Sequence, residues 1–556
     1  MSGTAARTVL DTAFGDGARL RALIEARRVS NPSGANAWLH YVAVVPTGWD
    51  SRSGPLILRD NPPVRLAPAG DFHRWNMENA RLRLTLCAGE SAEVLEQLHI
   101  QPDEVWWFHP ISSPSPNLGT KTLAGLCQRG AIVHTTANWA ALGDWQAAGF
   151  VVIDRDEPTP YGPSAAPSVS EVQLAFIPPW AVRRTRHVRR TAWVTPARCA
   201  IVGAGVSGAA LADAMARRGW TVTVLDTHPQ PAQGGSGVPA ALVAPLPSAD
   251  DNATSRLSRH GLRYMLQTLH ALSARGRLRR GLDWEASGVT RVLDSGAQVW
   301  QSDGLWLRPD ALVRAWLTHP HIQFRGGSRV ARISRQEAVW QLDGADGTLL
   351  ARAEVVVLAG ALGSKQLLSP LEIDPRAANA LSALHAAYGT VSMGSANSSI
   401  ALPTAPVNGA GSLIPSLSGA TEAQARRWLV GADFSAQPIP IDQAHAANLL
   451  RMRALAPDMH AAWLAEAAHK LPGALAHWQG QRCVSHDRMP LVGPLLAAPD
   501  ASLWISAGMG ARGMAWAGVC AELLASQISG EPWPLARNLS RHIDSQRRLP
   551  YIRNSA

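Results

Sequence analysis

The run Cys199-Ala-Ile-Val-Gly203-Ala-Gly205-Val-Ser-Gly208 constrains this chain more than any other feature. An apolar strand enters a glycine turn, and an alanine-rich helix leaves it and should stop near Gly219. A second strand, Thr221 to Leu225, then ends at Asp226, eighteen residues beyond Gly208. Strand, turn, helix, strand and acid in this order describe a dinucleotide-binding βαβ unit. Each small residue has a mechanical reason. Gly203 permits the tight turn, Gly205 lets the backbone approach a pyrophosphate, and Gly208 with Ala212 lets the helix close on the strand, its N-terminus toward the phosphates. An acid ending the second strand accepts from unphosphorylated ribose hydroxyls, which selects FAD or NAD over NADP.

Two later segments favour FAD. The strand Val355-Val-Val-Leu-Ala-Gly360 resembles the one by which flavoproteins of the D-amino-acid oxidase group return to the dinucleotide domain. In Trp504-Ile-Ser-Ala-Gly508-Met-Gly510-Ala-Arg512-Gly513-Met a short strand leads into a glycine turn and a helix through Leu524. Backbone N–H groups in such a turn suit the electron-rich end of a reduced isoalloxazine ring, although a plain strand-to-helix turn reads the same way.

At 556 residues, 46% hydrophobic and 17% charged, the chain is globular material with room for several cores. Apolar runs such as Val355 to Leu358 are far shorter than a membrane span, and the N-terminus has no basic-then-apolar leader pattern. A cytoplasmic protein away from the membrane is expected. Five scattered cysteines, none paired two residues apart, argue against disulfides and structural zinc, and no metal is expected. The formal charge of +10 is carried almost wholly by arginine, since lysine occurs only at 121, 365 and 470. Arginine suits phosphate because its planar fork donates two parallel hydrogen bonds. Five arginines at 183, 184, 186, 189 and 190 follow Pro178-Pro179-Trp180, and losing them would halve the charge to +5. This stretch is a linker, either a phosphate-tracking strap or a solvated tether.

From residue 199 to the end the chain resembles the oxidase half of the MnmC family, bifunctional enzymes that finish 5-methylaminomethyl-2-thiouridine at the tRNA wobble position. The resemblance rests on Gln233-Gly-Gly235-Ser236-Gly237, Pro245-Leu, Asp250-Asp-Asn252 and Ser255-Arg256, then on Arg482-Cys-Val-Ser-His-Asp487-Arg488-Met-Pro490-Leu-Val-Gly493, Gly508-Met-Gly510-Ala-Arg512-Gly513, Ala521-Glu-Leu-Leu524 and Gly530-Glu-Pro532. Val238 and Ala241 depart from it, standing where the family tends to have Asn and Gly. The resemblance implies removal of a carboxymethyl group from 5-carboxymethylaminomethyl-uridine, with tRNA as partner and FAD as cofactor. Gly203, Gly205, Gly208, Asp226, Gly235, Ser236, Gly360, Gly508, Gly510 and Gly513 would hold the flavin. Arg482 is the first candidate for the substrate carboxylate, because it precedes the Asp487-Arg488-Met-Pro490 turn as the carboxylate-binding arginine does in related amino-acid oxidases; Arg488 and Arg512 are further catalytic candidates. His486 reads as a turn residue. An oxidase of free glycine-like amines, or a non-catalytic flavin protein that binds RNA, would carry the same fingerprint.

The first 180 residues read as a second α/β unit. Val9-Leu-Asp-Thr-Ala-Phe-Gly15-Asp-Gly17 leads into a helix through Ile24 and a strand from His40 to Val45, with later strands at Leu84 to Gly89, Val105 to Phe108 and Gly130 to His134. This order resembles the methyltransferase half of MnmC proteins, with Gly15 and Gly17 against S-adenosylmethionine (SAM). Two positions depart. Val45 stands where an acid would accept from the ribose hydroxyls, and His109 stands where the family places the aspartate of its Asp-Gly-Phe segment. An active methyltransferase, with His109 as a base, a decayed one kept for RNA binding or packing, and a new role all stay open, and the lost acids favour the second. Arg19, Arg27 and Arg28 read as phosphate contacts or a solvated helix face. The whole chain is expected to be α/β: a methyltransferase-like Rossmann domain over 1–180, a basic linker over 181–197, and over 198–556 a D-amino-acid-oxidase-like FAD domain with an α+β substrate subdomain. The residues do not set the oligomeric state.

Overall fold

The computed structural model describes residues 6–30, 37–108, 116–136, 142–153, 171–180, 193, 195–369, 371–396, 401–417, 426–469, 475–500 and 502–549. The arginines at 183 to 190 and His109 lie outside the described residues. Two compact units emerge, one of Met1–Ala192 with Ser526–Arg541, the other of Trp193–Ala525 with His542–Ala556.

In the first unit, alternating apolar runs make an eight-stranded sheet. Its order is Phe72–Met77, Leu82–Ala88, Leu39–Val45, Arg7–Asp11, Glu104–Trp107, Ile132–Thr136, Glu171–Phe176, Phe150–Ile153. The strands from Leu82–Ala88 to Ile132–Thr136 are parallel neighbours, while Glu171–Phe176 runs antiparallel to the strands on either side of it. This is the methyltransferase-like Rossmann sheet expected from the sequence. Side chains alternate between two cores, as the period of two requires: Leu10, Val42, Val44 and Trp107 enter one, and Val9, Tyr41, Val45 and Trp106 the other.

The segment Ser526–Arg541, which the sequence places with the FAD domain, is a working part of this first unit. Arg74 is buried and donates from Nη1 to Ser526 Oγ at 2.9 Å, from Nη2 to the Pro532 carbonyl at 2.5 Å and from Nε to Thr85 Oγ1 at 3.0 Å. Arg83, equally buried, pairs with Glu531 at 2.8 Å. His99 and Trp533 stack with centroids 3.9 Å apart, and Arg537 donates to the Leu98 carbonyl.

The second unit contains two large sheets. The six-stranded one has the order Ile322–Arg325, Thr221–Leu225, Arg198–Val202, Val355–Leu358, Leu503–Ala507, Leu491–Pro494, all parallel except the last strand. The chain therefore leaves Arg198–Val202 in one direction and returns beside it with Val355–Leu358, which puts a topological switch point at Val202 and Leu358. The seven-stranded sheet, with the helices Ile441–Leu455 and Pro457–His469, forms the α+β subdomain; its longest pairing joins Leu384–Ser395 to Ala476–Ser485. Among the described residues no helix is long and apolar enough to cross a membrane.

A buried guanidinium stripped of its carboxylate is costly, so Glu531→Ala should destabilise the first unit by about 3 kcal/mol. Chemical denaturation followed by the fluorescence of that unit's tryptophans checks it.

Candidate functional site

The switch point opens into a cavity of about 980 Å³. Its wall runs from Asp226, His228, Arg329 and Val330, past the turns at Gly203–Gly205, Gly234–Ser236 and Gly360, to Phe434, Trp478, Arg482 and Gly508–Gly510. That volume lies at the upper end of the range for small-molecule sites, roughly 300–1,000 Å³, and suits a long ligand with a second, smaller molecule beside it.

One end is a cradle of tight glycine turns. Gly203 has φ +111°, and a Cβ there would lie 2.6 Å from the Ala359 carbonyl oxygen. A Cβ on Gly208 would lie 1.9 Å from the Gly203 carbonyl oxygen. The turn is thus pinned between the neighbouring strand and its own helix, and only hydrogen fits at either position. Gly205 caps the Val206–Ala216 helix without a side-chain acceptor of its own; Ser236 Oγ takes the Val206 N–H at 2.9 Å. Asp226 closes this end. Its Oδ2 accepts from the Ala204 N–H at 2.6 Å and its Oδ1 from the His228 N–H at 2.9 Å, with His228 Nδ1 3.1 Å from the same Oδ1, so the carboxylate is held at the strand end with Oδ2 left to accept from a hydroxyl.

The other end carries Arg482. It lies on Ala476–Ser485 opposite Ala387, and its guanidinium passes over Gly389, where a Cβ would sit 2.4 Å from Nη1. Nη1 donates to the Asp433 carbonyl at 3.2 Å, and the group lies 5.6 Å from the centroid of Phe434. Asp433 spends its carboxylate on the Thr390 N–H at 2.6 Å and the Ser435 hydroxyl at 3.3 Å. Among the described residues Arg482 has no carboxylate salt bridge. Burial weakens the cation, and the nearby charge of Asp433 opposes that shift. Beside it Cys483 lines the cavity, and burial pushes its thiol up.

Gly235, Ser236, Gly360, Gly508, Gly510 and Gly513 all line this cavity with the fingerprint residues, except that Gly208 lies behind it, packing the helix. Arg488 and Arg512 are not in the lining. They sit in two neighbouring turns, brought together by a bridge between Val484 and Met509. Burial and the adjacent charge of Arg488 lower the Arg512 pKa. Gly389, Asp433 and Phe434 escape a reading of the sequence, because no motif marks residues that act by leaving room for, or holding, an arginine on another strand. In the first unit, Gly15 and Gly17 take φ +57° and +77° in the turn after Arg7–Asp11, and Val45 is buried in an apolar cluster.

The FAD dependent oxidoreductase family (DAO) matches residues 198–298 and 266–527. A protein from Albidiferax ferrireducens named tRNA 5-methylaminomethyl-2-thiouridine biosynthesis bifunctional protein MnmC is 35% identical over 98% of this chain and 93% of its own length. The chain belongs to the MnmC family. A relative of the same name from a Polaromonas species is 36% identical over 85% of this chain and 79% of its own. The solved glycine oxidase of Geobacillus kaustophilus covers 60% of this chain and 95% of its own, at 18% identity and a TM-score of 0.47.

As an MnmC-family protein with the DAO fold, the chain is an FAD-dependent oxidoreductase. The cavity fits that cofactor: the glycine cradle would let a pyrophosphate approach the backbone, and Asp226 would accept from the ribose hydroxyls. Gly203→Ala should yield protein with little or no bound flavin, because the added carbon meets backbone that cannot step aside. The ratio of absorbance at the flavin band to that at the protein band, measured on purified protein, checks this.

Proposed function

We propose that the chain acts on tRNA, removing the carboxymethyl group of 5-carboxymethylaminomethyl-(2-thio)uridine at the wobble position to leave the aminomethyl form and glyoxylate. The observation that carries this is Arg482, a guanidinium on the cavity wall without a carboxylate partner among the described residues. The names of the MnmC relatives and the charge of +10 support it.

The substrate's secondary amine bears a CH2 group between nitrogen and carboxylate. FAD supplies the two-electron acceptor for the hydride of that CH2, and water then splits the resulting imine into amine and glyoxylate. The protein has to hold and orient. Arg482 can receive the carboxylate in a bidentate grip, and its anchor on the Asp433 carbonyl fixes the direction of the fork. Phe434 and Trp478 line the same end and offer aromatic faces against which the substrate can pack beside the arginine. Arg488 and Arg512 belong to RNA phosphate in this reading, since they lie outside the lining and face no carboxylate among the described residues. Work on tRNA supports a cytoplasmic location.

Arg482→Lys keeps a charge but loses the fork; kcat/KM on modified tRNA should fall about 100-fold or more while flavin content stays constant. Gly389→Ala should act through the same group. The three atoms nearest its Cβ all belong to the guanidinium, the movable end of a flexible side chain, so the arginine should swing away with the fold kept and KM should rise. Steady-state glyoxylate release measures both. Equal turnover of free glycine and modified tRNA, with no dependence of KM on salt, would replace this reading with a small-amine oxidase.

A further inference from the structure

The first unit has its own switch point, between Arg7–Asp11 and Glu104–Trp107, and a nucleoside cofactor of a doubly wound sheet binds in that crevice. Here the crevice is laced with the protein's own hydrogen bonds. The Thr12 N–H donates to the Trp106 carbonyl at 2.9 Å, Thr12 Oγ1 donates to the same oxygen at 3.1 Å, and the Phe108 N–H donates to Thr12 Oγ1 at 3.1 Å. Ser91 Oγ donates to the Thr12 carbonyl at 3.2 Å from the far side.

Across the glycine turn lies Arg19. It is the second residue of the Ala18–Ser30 helix, and its side chain turns back along the chain instead of joining the phosphate-facing or solvated surface expected of it. Nε and Nη2 reach the two oxygens of Asp11 at 3.1 and 2.9 Å, and Nη2 also meets the Ala13 carbonyl. The guanidinium lies 4.9 Å from the centroid of Phe108. Asp11 is fully buried and saturated, for Tyr41 donates to Oδ2 at 2.6 Å and the Ala13 N–H to Oδ1 at 3.0 Å. Burial alone would weaken the Arg19 cation, and the bonds and charge of Asp11 more than reverse that. On the other side Pro55 packs against Gly17, with Cγ 3.0 Å from where a Cβ would stand. At the end of the second strand, where ribose hydroxyls need an acceptor, Val45 offers only buried methyl groups.

We propose that Arg19 bolts this crevice shut, so that the N-terminal unit neither binds SAM nor transfers a methyl group, and the aminomethyl nucleoside is the final product of this chain. SAM would have to expel the guanidinium from a buried carboxylate and would gain no ribose acceptor in return. Breaking such a pair weakens binding by at least about 100-fold. A methylated product would then need a separate enzyme that transfers a methyl group to a primary amine. The last two statements rest on the proposed oxidase reaction; the closure of the crevice does not.

Full-length, flavin-containing protein titrated calorimetrically with SAM should show no saturable binding at millimolar ligand. The same protein given aminomethyl-bearing tRNA and SAM should return the nucleoside without an added methyl group, as read by mass. Arg19→Ala should lower the melting temperature of the N-terminal unit by several degrees with flavin content unchanged, because the buried Asp11 loses its cation and keeps only the Tyr41 and Ala13 hydrogen bonds. Stoichiometric SAM binding, a methylaminomethyl product, or melting unaffected by Arg19→Ala overturns the proposal. Because SAM binding is measured without the oxidase reaction, a failed oxidase reading leaves this test intact.

Discussion

The contact between Gly203 and the backbone of Ala359 is the constraint on which the oxidoreductase unit depends. It lets Arg198–Val202 and Val355–Leu358 stay paired to their ends while the chain turns sharply into the Val206–Ala216 helix. With the turn pressed against one strand and Gly208 pressed against the turn, the helix N-terminus comes to rest over the crevice. Asp226 on the adjoining strand end is then within reach of the same opening. A methyl group at either glycine would push strand from helix, and the cradle would lose both its walls and its donors.

The same chain shows what happens when a switch point is put to another use. Both units are built on a mostly parallel sheet with a glycine turn after the leading strand. In the oxidoreductase unit the residues beyond the turn are small or recede, and a large cavity results. In the N-terminal unit an arginine folds over the turn onto a buried aspartate, and threonine and backbone groups fill the gap between strand ends. The fold permits a site in each, and the side chains next to the turn decide whether one exists.

The sequence displays the cofactor cradle clearly because it is local: glycine spacing, strand end and acid lie within thirty residues, and each residue type has one mechanical explanation. The carboxylate end is only half visible. Arg482 stands in a recognisable segment, whereas Gly389, which makes room for it, and Asp433, which anchors it, reach it only through strand pairing. Arg488 and Arg512 stand behind Arg482 as candidates in the sequence, and the turns that hold them carry them out of the cavity wall. Ser526–Arg541 reads as the end of the FAD domain because it follows that domain in the chain; its partners Arg74, Arg83 and His99 are buried or stacked side chains more than four hundred residues away, a distance no periodicity reports.

The central claim is that one cavity holds flavin at its glycine end and a carboxylate-bearing modified nucleoside at its arginine end. A single anaerobic turnover tests it most directly: flavin absorbance is followed after mixing the yellow protein with tRNA carrying 5-carboxymethylaminomethyl-uridine, and the nucleoside is then identified by mass. Loss of the flavin band with one equivalent of aminomethyl-uridine per flavin is the predicted result. A band that persists with this tRNA but bleaches with glycine or sarcosine would contradict it.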